Sequence, residues 1–404
     1  MAPEELAPDQ TAAVEAAVRW YRSPRRGTPF LIHGPAGTGK TSIAKRISEL
    51  TAPGNTVFVA ATGKAAAVLD SKGCTARTIH SAIYRPRGDN PEVRALRELR
   101  DQVAGEPDPD PEKLRLLNQQ IKELSGGRFT LRDRDKAFDG NWPGLIVVDE
   151  GSMVGVQVAA DLASFGVPIL VLGDPYQLPP VLAKPGYTQP PDVMLTTVHR
   201  YAGPLLDMAT AARQGRPIPA YDRGSRAGRY GGRYEIGLLG RFDQIIVYRN
   251  RTRWDIIRGL RQALGRPDGR PVPGDRVMVL RNDPDLEVVN GQQATVAQAD
   301  SVEGGWLLQT TCGKAWLVDE RGFLGHEQQE AVKADRGSDL IAATFAQAVT
   351  CHAAQGSEWP AVAVIDESPS REWLYTAVTR AQLECIVLTR RPAIPAAAVP
   401  ARAA

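Results

Sequence analysis

Short runs of consecutive apolar, largely β-branched residues recur along the chain: FLIHG (30–34), TVFVAAT (56–62), LIVVDE (145–150), PILVLGD (168–174), QIIVYRN (244–250), AVAVID (361–366) and CIVLT (385–389). Runs this short without polar alternation predict strands buried on both faces, as in parallel sheets, and the helical segments between them predict α/β layers. The first four runs end in Gly, Thr, Glu or Asp. On such sheets, functional groups gather at the carboxyl ends of the strands.

Two stretches break that rhythm. Within residues 85–140, VRALRELRDQV (93–103) and EKLRLLNQQIKEL (112–124) carry leucines at helical spacing on either side of the breaker AGEPDPDP. They predict a helical hairpin inserted into the first sheet domain. Between 271 and 338, GDRVMVLRND, VNGQQATVAQAD and GGWLLQTTCGKAWLVD alternate apolar and polar positions around NG and GG turns, predicting a small antiparallel β-barrel. The low-complexity tail, residues 391–404, is expected to be disordered.

A length of 404 residues leaves room for two or three domains, and 43% hydrophobic with 24% charged residues is ordinary globular composition. The apolar runs fall far short of the roughly 20 residues that cross a bilayer, so no membrane partner is expected. The acidic start MAPEELAPDQ lacks the plan of a secretory signal. Cys74, Cys312, Cys351 and Cys385 form no CxxC pair and the five histidines are dispersed, which argues against a zinc site or disulfide framework and for a reducing, cytoplasmic setting. A net charge of +3 does not mark a nucleic-acid binder. Its distribution is uneven, however: from Arg213 to Arg253 ten arginines face only Asp222, Glu235 and Asp243, whereas residues 85–140 hold 12 basic and 12 acidic side chains.

The chemistry begins at GPAGTGKT (34–41), which fits G-x-x-x-x-G-K-[ST] directly after a predicted strand and before the helical SIAKRISEL. The loop Gly34, Pro35, Ala36, Gly37, Thr38 and Gly39 is expected to wrap phosphate oxygens with its backbone N–H groups. The start of the following helix at Lys40, Thr41 and Ser42 favours anions as well. Lys40 would reach the β and γ phosphates of ATP and the Thr41 hydroxyl would ligate Mg2+. IVVDEGSM (146–153) supplies the complement: Asp149 for the Mg2+ shell and Glu150 as the base that deprotonates water.

Nine blocks then carry a family resemblance: LAPDQ (6–10), GPAGTGKT, AATGKAA (60–66), TIH (78–80), DEGSM, GDPYQLPPV (173–181), LTTVHR (195–200), VTCHAAQGSEW (349–359) and WLYTAVTRA (373–381). In this order they resemble the motifs of superfamily 1B DNA helicases of the RecD-like and Dda-like kind. The resemblance implies an α/β fold of two RecA-like P-loop motor domains, parallel sheets flanked by helices, with ATP and Mg2+ in the cleft between them. The first motor domain would comprise 1–84 and 141–200 with a pin-type insert at 85–140, and the second 201–270 and 339–390 with an SH3-like barrel insert at 271–338. It further implies Gln10 as reader of adenine, Gln177 as γ-phosphate sensor, Arg200 and Arg380 as arginines closing on the γ-phosphate, and Gly356 and Glu358 at the nucleotide.

For the DNA side the resemblance implies Thr62, Lys64, Thr78, His80, Thr350 and His352, types suited to phosphate contacts that carry no sequence information. Each would serve equally as a helix cap or packed loop residue. Phe129 in GGRFTLRD is the candidate for stacking on the last base pair, and packing the hairpin onto the motor is its alternative role. The sequence departs from the family pattern at Ala353, where a lysine is common, at Gln382, where a basic residue is usual, and at Gly151 in place of alanine. The first two bear on DNA affinity rather than on ATP hydrolysis.

The activity implied is ATP-dependent 5′ to 3′ translocation on single-stranded DNA with unwinding of forked or tailed duplexes, by a stand-alone monomer meeting single-strand-binding or replication proteins. A single-strand translocase acting on DNA or RNA, or a RecD-like subunit that needs a partner, are the alternatives.

Overall fold

The computed structural model describes residues 6–389 except 87–90, 107, 126–128, 181–182, 200–202, 222–225, 232–235, 284–285, 287, 336–337 and 369. The expected disordered tail and the candidate Arg200 therefore lie outside the described residues.

Helix α1 (Pro8–Arg22) leads into β1 (Phe30–His33), α2 (Lys40–Thr51), β2 (Thr56–Ala60), α3 (Gly63–Ser71), β3 (Ala76–Thr78) and α4 (Ile79–Ile83). The first insert runs β4 (Tyr84–Pro86), α5 (Pro91–Ala104), α6 (Pro111–Ser125) and β5 (Phe129–Leu131), after which β6 (Leu145–Asp149), α7 (Val156–Ala163), β7 (Ile169–Gly173) and β8 (Val193–Met194) complete the half. Six of these strands form one sheet in the order β3-β2-β6-β7-β1-β8, and every described pairing in it is parallel. Its central strands are apolar up to their carboxyl ends because both faces are covered: Leu145 to Val148 are fully buried, as are Leu170 to Leu172. Burying each such Leu, Ile or Val side chain stabilises by roughly 1.5–3 kcal/mol.

The second half starts with α8 (Pro204–Gln214), β9 (Ala227–Arg229), α9 (Ile236–Leu239), β10 (Gln244–Val247) and α10 (Asn250–Ala263). A β module of β11 (Arg276–Val279), β12 (Gln293–Val302), β13 (Gly305–Thr310), β14 (Ala315–Asp319), α11 (His326–Ala334) and β15 (Ala343–Phe345) interrupts it. The chain continues through β16 (Ala348–Thr350), α12 (Cys351–Ala354), β17 (Trp359–Asp366), α13 (Arg371–Val378) and β18 (Ala381–Thr389). The second parallel sheet has the order β16-β10-β17-β18-β9. Among the described residues no helix is long and apolar enough to cross a membrane.

The module is antiparallel, ordered β14-β13-β12-β11-β15. An isolated bridge between Val318 and Ile341 brings β14 back to the segment before β15, so the sheet curls toward closure. Strand β15 pairs with β11 through Phe345 and Val277, so this sheet runs past residue 338, the insert end expected from the sequence. No turn signal separates Ala343–Phe345 from the run that follows, so the boundary was invisible in the pattern.

Two features fix the module in place. Helix α10 carries Arg253, fully buried, which donates to the carbonyls of Ala348 (2.9 Å) and Phe345 and to Gln329 Oε1 (2.5 Å), tying the module to β16. Burial pulls its guanidinium down to about 9, still charged at neutral pH. On the other side, Val103, Leu114 and Leu117 of the helical hairpin share a buried cluster with Leu307, Leu317 and Leu340. Arg115 Nε donates to Asp339 (3.2 Å) and Asn118 Nδ2 to the Asp339 carbonyl (3.2 Å) at its edge. The inserts of the two halves thus touch.

Candidate active site

The GPAGTGKT loop leaves β1 and turns into α2 through Gly37 (φ 84°) and Gly39 (φ 76°). Those left-handed conformations are ones glycine adopts without strain. Lys40 Nζ folds back onto the carbonyls of Gly34 (2.6 Å) and Pro35 (3.0 Å), and Thr38 Oγ1 donates to the Pro35 carbonyl (3.0 Å). The Gly34 N–H is taken by the Gly173 carbonyl of β7 (3.0 Å) and the Ala36 N–H by the Tyr375 hydroxyl (2.9 Å), so phosphate would meet the loop from Gly37 onward. Gln10 is buried against the loop: its Nε2 donates to the Thr38 carbonyl (3.0 Å) and its Oε1 accepts from Ala7 N (3.0 Å).

A cavity of about 500 Å³ opens in front of this loop and is shared by both halves. From the first it takes Ala36, Gly37, Gly39, Lys40, Thr41, Ser42, Asp149, Glu150 and Gln177; from the second, Gly356, Glu358 and Arg380. Residues scattered over more than 340 positions, from Ala36 to Arg380, thus meet at one cleft. Lys45, Lys72 and His199, none of them among the expected site residues, also line it.

Glu150 holds a left-handed backbone (φ 52°) at the end of β6, a conformation that costs a non-glycine residue energy and recurs at functional sites. Burial pushes its carboxyl above the ordinary range, Asp149 and Asp174 add to the rise, and Arg380 and Lys40 oppose it. Asp149 Oδ1 accepts from Glu150 N (2.9 Å). Thr41 and Asp149 face the same cavity, a donor set that fits Mg2+, which takes one or two protein oxygens and completes its shell with phosphate and water. Among the described residues no group of three or more His, Cys, Asp or Glu side chains is placed to hold a metal by itself.

Gln177 is buried, donates Nε2 to Asp174 Oδ2 (3.3 Å) and leaves Oε1 without a partner among the described residues. Arg380, only 3% exposed, donates to the Thr376 carbonyl (3.0 Å), the Ser357 carbonyl (3.4 Å) and Thr379 Oγ1 (3.3 Å).

A second cavity, of about 610 Å³, also spans both halves and brings together Thr62, Lys64, Thr350 and His352. Tyr248, Asn250, Lys333 and Gln355, none of them among the expected DNA contacts, share it. Thr62 and Thr350 cap α3 and α12, their Oγ1 atoms accepting from Ala65 N (3.2 Å) and Ala353 N (3.4 Å). Lys64 Nζ donates to the Ala353 carbonyl (3.2 Å), and burial pulls its ammonium down to about 8. Thr78 and His80 do not line this cavity: Thr78 caps α4 through Ser81 N (3.1 Å), and the His80 ring lies 5.1 Å from that of Tyr84. The backbone of Phe129 pairs with Pro86 across the β4–β5 ribbon, and its side chain lies outside the described residues.

Two parallel sheets sharing a phosphate-loop cleft define a two-lobed P-loop protein. The AAA domain family matches residues 5–230, more than half of the chain. The chain belongs to that family and, by the order of its motifs, to superfamily 1B. The UvrD-like helicase C-terminal domain matches residues 345–388. Over 277 residues the chain is 30% identical to the ATP-dependent RecD2 DNA helicase of Deinococcus radiodurans, covering 59% of this chain and 35% of that protein. It thus spans about a third of that relative's length. A structure of two coordinating Pif1 helicases, solved for DNA unwinding at forked double-stranded DNA, matches with a TM-score of 0.52 at 16% identity, over 95% of this chain and 92% of that one. The Pif1 helicase of Candida albicans matches over 95% of this chain and 94% of its own at 17% identity, TM-score 0.49. The first of these shows the α/β fold with parallel sheets flanked by helices.

Proposed function

We propose that this chain is an ATP- and Mg2+-dependent helicase of two RecA-like motor domains that moves 5′ to 3′ on single-stranded DNA and parts duplex ahead of it. The observation that carries the reading is the pair of cavities, each walled by both halves, one with phosphate-loop chemistry and the other with Thr62, Lys64, Thr350 and His352. A change of angle between the halves alters both cavities at once, which is what coupling hydrolysis to movement requires. The relative named an ATP-dependent DNA helicase and the Pif1 structure at forked DNA support the same reading.

In this scheme Lys40 exchanges its two carbonyls for the β and γ phosphates, and Thr41 and Asp149 would hold Mg2+. Bound there, the ion would neutralise charge between the phosphates. Glu150 takes the proton of the attacking water and the free Oε1 of Gln177 accepts the water's other hydrogen. Arg380, with Arg200, stabilises charge on the transferred phosphoryl group. Gln10 braces the loop and, once its amide leaves Thr38 and Ala7, reads the adenine edge, while Gly356 and Glu358 close the nucleotide side. Thr78, His80 and Phe129 would meet DNA beyond the cavity, Phe129 at the fork.

The test is ATP-dependent unwinding of duplexes with a 5′ tail, a 3′ tail or an RNA strand. Unwinding from 5′ DNA tails is expected. Activity from 3′ tails alone sinks the polarity, and DNA-stimulated hydrolysis without unwinding identifies a translocase.

Lys64 supplies a pH-dependent prediction. Its ammonium is charged below about 8 and is lost as pH rises through that value, so affinity for a single-stranded oligonucleotide should fall as pH is raised from neutral past that point. Lys64→Arg, which stays charged, should flatten that fall. Binding by either protein should also weaken steeply with salt, as phosphate contacts release counterions. Titrations by fluorescence anisotropy at several pH values check both; an equal pH response in wild type and variant would remove Lys64 from the interface.

A further inference from the structure

The segment Asp174–Leu178, whose Gln177 lines the first cavity and whose Leu178 is bonded by Gln355 of the second, belongs to the first half but is held by the second. Its far end is gripped through both backbone groups of Leu178: the N–H donates to Thr376 Oγ1 (3.0 Å) and the carbonyl accepts from Gln355 Nε2 (3.1 Å). Its near end is gripped by Tyr375, whose hydroxyl donates to Asp174 Oδ2 (2.8 Å) and accepts from Ala36 N in the phosphate loop (2.9 Å). Gln177 sits between the two grips, with Nε2 on the same Asp174 oxygen and Oε1 unpartnered.

From this chain of contacts we infer that Tyr375 is a positioning residue for hydrolysis: its hydroxyl links the phosphate loop to Asp174 and so fixes the amide of Gln177, a residue that lines the cleft. The inference rests on the function proposed above and adds to it a residue that has no direct contact with substrate. The physics is one of limited donors. Asp174 is 1% exposed, and a buried carboxylate orients toward whatever donors surround it. Among the described residues those donors are the Tyr375 hydroxyl, Gln177 Nε2 and Tyr176 N (3.1 Å to Oδ1). Removing the hydroxyl leaves Oδ2 to the Gln177 amide alone and orphans the Ala36 N–H. The carboxylate is then free to turn, and the amide it orients turns with it. Burial and the Asp174 charge both push the Tyr375 hydroxyl up, so it remains a donor throughout the working pH range. Because Tyr375 lies on α13 of the second half, separating the halves withdraws the hydroxyl from Asp174 and Ala36 together.

The experiment compares wild type, Tyr375→Phe, Asp174→Asn and the double variant in steady-state ATP hydrolysis, with and without an oligothymidine strand, across ATP concentration. Tyr375→Phe keeps the ring and loses only the hydroxyl. We expect kcat to fall roughly tenfold with KM for ATP within about twofold, since the contact orients rather than binds. The fold-stimulation by DNA should fall too. Asp174→Asn should lose a similar factor and the double variant little more, because both break one chain. Hydrogen exchange should show faster exchange at the Ala36 amide in Tyr375→Phe at an unchanged melting temperature. Unchanged kcat in Tyr375→Phe, losses that multiply in the double variant, or a rise in KM with no change in kcat would each overturn the positioning role. A wild type that hydrolyses no ATP would instead overturn the function on which it rests.

Discussion

Glu150→Gln is expected to bind ATP as tightly as the wild type and to hydrolyse it about 10²–10⁴-fold more slowly, the range a positioned general base contributes. The substitution is nearly isosteric, so the left-handed turn at the end of β6 and the hydrogen bond from Glu150 N to Asp149 (2.9 Å) are retained. What is lost is basicity. Burial and the neighbouring Asp149 raise the Glu150 carboxyl above the usual range, which makes its anion a stronger base than an exposed carboxylate. The sign follows for pH: the active anion forms only above that raised value, so the acid limb of kcat should lie at higher pH than an ordinary carboxylate gives. The limb should disappear in the variant's residual activity. Single-turnover hydrolysis with fluorescent nucleotide binding as the control separates the two effects. Turnover within a factor of a few of wild type would assign the proton transfer elsewhere.

The parts of this architecture that were legible in the sequence are those in which local chemistry decides local structure. FLIHG followed by GPAGTGKT specifies a buried strand, a turn with two left-handed glycines and a helix start in one short stretch, and β1, the loop and α2 follow that plan. The leucines of 93–103 and 112–124 likewise fold as α5 and α6. What those helices pack against could not be read, because the partner leucines at 307, 317 and 340 are remote in the chain. Strands β3, β8, β9 and β16 also carried no signal: with two or three residues each, as in ART or AGR, they exist because a longer neighbour offers an edge.

The site divides in the same way. Lys40, Thr41, Asp149 and Glu150 stand out in the sequence because the first two complete a phosphate-loop pattern at the start of α2 and the last two close a buried apolar run. Tyr375 and Thr376 do not, since a tyrosine and a threonine on a buried helix look like core until the partners at Ala36 and Leu178 are known. Thr62, Thr78 and Thr350 were equally good caps and phosphate contacts in the sequence. All three cap helices, and two of them also face the shared cavity.

Arg380→Ala should cost about a thousandfold or more in kcat, in line with arginines that stabilise phosphoryl transfer. The guanidinium is 3% exposed in a cleft that also holds Glu150, Lys40 and Gln177, and its hydrogen bonds go to two carbonyls and a hydroxyl. None of those acceptors carries a charge, so the cation is available to the anion in front of the phosphate loop, in surroundings where screening by water is weak. Its origin on the turn after α13 makes the contribution depend on how closely the halves approach. Loss of Arg380 should therefore lower basal hydrolysis and abolish most of the acceleration by DNA, while KM for ATP changes far less. Because alanine also leaves the Thr376 and Ser357 carbonyls without this donor, Arg380→Lys is the second arm. It keeps the charge and the stem but cannot form the planar fork, and it should recover only part of the rate at a melting temperature close to wild type. A loss confined to KM in both variants would make Arg380 a residue that binds the ground state. A loss of rate in both, with the fold intact, places it at the transition state.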